Sequence, residues 1–177
     1  MHMRKNIEEC VNILTGLISD LSVAVEVIKD YEKQPSFHLE SKKAFRQSVY
    51  RLCFSSIVIN CRKYVEFTAK YGQILNAIIP EYQEQKNKYI ALINNNTAIK
   101  ALRNDYIAHV QSSSTKKALT ELEVQNSIVE MIGGEHNALP FLNSISPDNI
   151  ESTDLEDSLV GTIQLLRDAL VDKLECC

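Results

Sequence analysis

Near the start of the chain apolar residues return at alternating steps of four and three: Ile7, Val11, Leu14, Ile18, Leu21, Val25 and Ile28. That rhythm lays one stripe along an α-helix, and Cys10, Leu17, Ala24 and Tyr31 widen it. The pattern predicts a helix of about 25 residues, ended by Gln34-Pro35-Ser36. A second helix is expected from Glu40 to Tyr71, with Gly72 as its stop. Its apolar arc holds Phe54, Ile57, Val58, Cys61, Tyr64, Val65 and Phe67, while Arg51, Ser55, Arg62 and Glu66 share the opposite side. Leu52 and Ile59 fall on that polar side, which predicts contact there with a further surface, such as a second copy of the chain.

The rest of the chain is read in shorter pieces. Ile74 to Ile79 reads as a short helical piece stopped by Pro80, and Glu81 to about Asn94 as a helix with Tyr82, Tyr89 and Ile93 on one stripe. Asn94-Asn95-Asn96-Thr97 breaks the chain and offers N-caps to the next helix, whose end Ser112-Ser113-Ser114 loosens. Thr120-Glu121-Leu122-Glu123 is a capping box opening a helix to about Ile132. Residues 133–152 are expected to be loop, with at most a short helical turn before Pro147. A second capping box, Thr153-Asp154-Leu155-Glu156, opens the last helix, which runs to about Glu175 with Leu155, Leu159, Ile163, Leu166, Leu170 and Leu174 inside. Five Gly and four Pro are too few for the turns of a β protein. The expectation is one all-α domain over 1–177, an antiparallel bundle with two long N-terminal helices and a long C-terminal one. Within it Met1-His2-Met3 reads as a cloning remnant.

Charge changes the picture along the chain. The net charge is −4, but residues 42–70 carry 7 basic and 1 acidic side chains, and residues 118–177 carry 2 and 12. The middle of the chain attracts polyanions and the last third repels them. The five cysteines form no C-x-x-C pair, and Cys53 and Cys61 read as small core fillers of a reducing compartment. No signal-peptide pattern precedes the first helix and no uninterrupted apolar run nears 18 residues, so a cytoplasmic protein outside the membrane is expected. Phosphate-cradling glycine motifs, a G-x-S-x-G elbow and H-E-x-x-H are all absent, and no metal or other cofactor is expected. His38 and His136 read as solvated loop histidines.

One stretch carries candidate chemistry: ALRNDYIAHV, residues 101–110. Ile99, Leu102 and Tyr106 form its apolar stripe, and His109 falls three residues on, at the edge of that stripe. Two readings are open. His109 is a half-buried core histidine with Arg103 and Asn104 solvated, or His109 and Arg103 curl towards one cleft. In the second case an imidazole near neutral pKa and a planar guanidinium suffice for metal-free RNA cleavage: a base for the 2′-hydroxyl and a cation for the phosphorane.

Arg103-Asn104-Asp105-Tyr106-Ile107-Ala108-His109 resembles the R-x(4–6)-H signature of the HEPN superfamily, with that family's favoured polar residue after the arginine. The two long opening helices and the late motif resemble its abortive-infection, phage-defence branch, over most of residues 4–175. The resemblance implies a metal-independent endoribonuclease of a toxin or defence system. It implies a homodimer whose two motifs meet in one cleft, and it leaves room for a cognate antitoxin or accessory protein. It makes His109 the general base or acid, Arg103 the phosphate contact and Asn104 the residue orienting them. Gln111 stands where several such toxins carry a tyrosine, so regulation through that tyrosine is not expected. The alternative from the same resemblance is a non-catalytic module that binds a nucleotide, a nucleic acid or a protein. Lys100, Lys116 and Lys117 flank the motif, and with Arg51 and Arg62 they are expected to form a basic rim for RNA.

Overall fold

A computed structural model describes residues 2–107, 117–148 and 155–175. It contains seven α-helices and no strand among the described residues. They are α1 (His2–Glu32), α2 (Lys43–Ile78), α3 (Gln83–Asn95), α4 (Thr97–Leu102), α5 (Glu121–Ile132), α6 (Ala138–Ile145) and α7 (Leu159–Glu175). The expected all-α bundle is what forms.

The stripe read from the first residues is the centre of the core. Cys10, Leu14, Leu17, Leu21, Val25 and Ile28 are buried between α2 and α7. Polar pairs on the flanks set direction: Glu9 meets Lys70, Asp20 meets Lys63, and Glu32 accepts from the Tyr50 hydroxyl. Early α1 thus lies beside late α2, and the two run antiparallel. By length and composition alone Met3–Glu32 is apolar enough to cross a membrane, with a mean hydropathy of 1.7 over its most apolar window. In the bundle its apolar face packs on its two neighbours. Burial pushes the Cys10 thiol up to about 11 and the Cys61 thiol up to about 12, so both fill space rather than react.

Three boundaries differ from the sequence expectation. Gly72 does not stop α2, which runs on through Leu75 to Ile78 and ends before Pro80. Phe67, Tyr71, Leu75 and Ile79 are all buried across the glycine, and that packing outweighs the ~1 kcal/mol a helical glycine costs. The 133–152 loop contains a helix, α6, which buries Leu142 and Ile145. It follows a Schellman turn that ends α5: Gly133, at φ 79°, donates to the Glu130 carbonyl, and Gly134 donates to the Val129 carbonyl. Finally, α7 opens later than the Thr153 box predicted. Thr153 itself lies outside the described residues, and Ser158 caps α7, its Oγ accepting from the Gly161 N–H at 3.0 Å. The Thr120 box forms as expected, with Thr120 and Glu123 bonding reciprocally.

Candidate functional site

The motif is positioned by its cap. Asn96 Oδ1 accepts from the Ile99 N–H at 3.2 Å, and Asn96 Nδ2 donates to the Met131 carbonyl at 2.8 Å. One side chain therefore starts α4 and fastens it to the end of α5. Asn96→Ala is expected to cost about 1 to 2 kcal/mol, seen as a fall of a few degrees in thermal melting. Ala98, Ile99 and Leu102 are buried, which turns the next residues towards the surface.

At Arg103 the α-helix gives way to a π-helical turn, Arg103–Ile107. Such turns are rare and concentrate at functional sites. Arg103 Nη1 donates to Asn104 Oδ1 at 3.1 Å, and Arg103 Nη2 lies 3.5 Å from Glu66 Oε1. The guanidinium is thus held by a neutral neighbour and one surface carboxylate, with its side chain 42% exposed. Glu66 was legible as part of the polar face of α2, but that this face meets the motif was not. His109 and Lys116 lie outside the described residues. Tyr106 and Ile107 are half-buried against the core.

The remaining predicted cations are spread out. Arg51 is exposed on α2 and has no partner among the described residues. Arg62 lies eleven residues on, about 16 Å along the helix axis, and donates to Asn94 Oδ1 at 3.1 Å. Lys100 and Lys117 are exposed on either side of the motif. His38 and His136 are exposed in short 3-10 segments, and the His38 Nε2 lies 3.0 Å from the Glu32 carbonyl. Among the described residues no three His, Cys, Asp or Glu side chains gather as metal ligands.

Next to the motif turn opens a groove of about 1100 Å³, bounded by the end of α1, the first half of α2, α5 and α6. Tyr106 and Arg51 both line it. One end is closed by Lys29, itself buried, whose Nζ donates to the Ser146 carbonyl and to Asp148 Oδ1, both at 2.9 Å. That bond holds the Asp148 carboxyl below the usual carboxylate range. A carboxyl lowered by folding stabilises the fold above its unfolded pKa, and the contribution disappears as pH falls through the folded value. Acid denaturation of Asp148→Asn is therefore expected to lack part of the slope seen below the ordinary carboxylate range. An unchanged acid limb would show that the pair is not coupled to folding.

Fold and site define a small all-α bundle that carries an arginine–asparagine pair beside a deep groove. A solved structure described as "Structure from the mobile metagenome of V. paracholerae: Integron cassette protein Vpc_cass2" matches it with a TM-score of 0.84. The two are 47% identical over 94% of this chain and 96% of that chain. The chain belongs to the family of that integron cassette protein. No protein-family model matches the chain, and no curated protein matches it either.

Proposed function

We propose that this protein is a HEPN-type, metal-independent endoribonuclease that works in the cytoplasm as a homodimer, in a toxin or phage-defence role. The observation that carries the proposal is the Arg103–Asn104 pair, half-open on a π-helical turn six residues before His109. A guanidinium so exposed keeps donors available to a phosphate. A mobile cassette, the setting named for the V. paracholerae relative, suits an effector that moves between hosts.

In this reaction His109 takes the proton of the ribose 2′-hydroxyl. The O2′–P bond forms as the P–O5′ bond breaks, and Arg103 bears against the charge that gathers on the phosphorane oxygens. A proton returned to the leaving 5′ oxygen closes the balance. Asn104 holds the guanidinium in place through its Oδ1. Arg51, Arg62, Lys100, Lys116 and Lys117 supply the phosphate contacts along the strand, and DNA is spared because it has no 2′-hydroxyl. A cognate antitoxin or accessory protein would hold the enzyme in check.

Purified protein incubated with total RNA in excess EDTA tests this directly. Cleavage that leaves 2′,3′-cyclic phosphate and 5′-hydroxyl ends is expected. RNA left intact under all conditions, or ends of any other chemistry, would overturn the proposal.

A further inference from the structure

The groove beside the motif holds more apolar surface than RNA cleavage requires. Its floor is aliphatic, made by Ile28, Val124, Ile128, Ile132 and Leu142 beside buried Phe54, and the half-buried rings of Tyr50 and Tyr106 line it as well. Nucleobases favour stacking rings, and such a floor suits a hydrocarbon chain. The volume of about 1100 Å³ lies close to the range of small-ligand sites rather than of flat protein interfaces.

One wall is charged in a particular way. Lys43, Gln47 and Arg51 repeat at steps of four along α2, and Arg46 and Tyr50 form the adjacent row. Arg46 Nη1 donates to the Phe37 and Leu39 carbonyls, and among the described residues no carboxylate pairs with it. Arg51 has no partner among the described residues. Arg46 and Arg51, five residues apart, thus line the groove from either edge of one face of α2, with no carboxylate paired to them among the described residues. Of the carboxylates lining it, Glu32 is taken by the Tyr50 hydroxyl and Asp148 by Lys29. Glu121 opens α5 and Glu135 lies in the 3-10 turn beyond its other end, both exposed.

We infer that this groove is a binding site for a single-chain amphiphile with an anionic head, its carboxylate or equivalent on Arg46 and Arg51 and its aliphatic tail on the Ile28–Leu142 floor. The site does not depend on RNA cleavage, and its test reads binding alone.

The measurement is displacement of 1-anilinonaphthalene-8-sulfonate from the full chain by dodecanoate, dodecanol and dodecyltrimethylammonium, each below its micellar concentration. Dodecanoate should displace the probe at one equivalent, and the ammonium at least about tenfold more weakly. Arg51→Glu should weaken dodecanoate by about tenfold without moving the melting temperature, because exposed Arg51 has no partner among the described residues. Equal displacement by the anion and the cation, or a dodecanoate affinity unchanged in Arg51→Glu, would overturn the assignment. So would displacement by a single-stranded RNA oligonucleotide but not by dodecanoate, which would give the groove to nucleic acid.

Discussion

His109→Ala is expected to lose the proposed cyclic-phosphate-forming activity by about 10²- to 10⁴-fold, the usual worth of a placed general base. Arg103→Ala should fall by a similar factor, since in the proposed reaction it removes the cation facing the phosphorane. Arg103→Lys should recover only part, because a point charge cannot replace the planar fork. Folding loss is not a competing explanation for Arg103. Its ion pair with Glu66 is 3.5 Å long, with the two side chains 42% and 59% exposed, and such surface pairs contribute about 0 to 1 kcal/mol. Circular dichroism and melting of the two Arg103 variants should therefore follow the wild type. A His109→Ala protein that cuts RNA at the wild-type rate would remove the imidazole from the mechanism.

The second large effect is structural, and its sign reverses between two positions. A Cβ on Gly161 would lie 2.2 Å from the Leu155 carbonyl oxygen and 2.7 Å from the Leu155 Cα. Those are backbone atoms of the 3-10 turn Leu155–Asp157, which folds back over the first turn of α7. The turn is not free to yield, because the Glu156 carbonyl accepts from Lys88 Nζ at 3.0 Å and from the Tyr89 hydroxyl at 3.4 Å, both on α3. Gly161→Ala is expected to destabilise by about 2 kcal/mol or more, the overpacking cost exceeding the ~1 kcal/mol gained in helix propensity. Gly16 lies in the exposed interior of α1, and a Cβ there meets nothing within 4 Å. Gly16→Ala should stabilise by about 0.5 to 1 kcal/mol. Thermal melts of the two variants should move in opposite directions. A Gly161→Ala protein that melts with or above the wild type would mean that the turn over α7 is not packed as described.

The helices were legible where burial and local chemistry agree. The stripe from Ile7 to Ile28, the arc from Phe54 to Phe67, the Asn96 cap and the Thr120 box all fall where periodicity and capping put them. The misplaced boundaries share one cause. Gly72 is a stop signal only if nothing on either side of it needs to be buried, and Tyr71 and Leu75 do. Residues 138–145 carry Pro140 and follow two glycines, so their local signal is that of a loop, yet Leu142 and Ile145 have a core to face. The late start of α7 turns on Ser158 being buried beside Gly161, a contact made only once the Leu155 turn is folded over it.

For the candidate site the division is sharper. The residue types of the motif, its distance along the chain and the polar face of α2 are properties of the sequence, because a helix repeats at a fixed angle and chemistry follows side-chain type. Tertiary structure alone decided that Glu66 meets Arg103, that the motif leaves α-helical geometry at that arginine, and that Arg46 and Arg51 line an aliphatic groove. These contacts join residues up to tens of positions apart. Their energies depend on how α1, α2, α5 and α6 are packed together, and no local window of sequence contains that information.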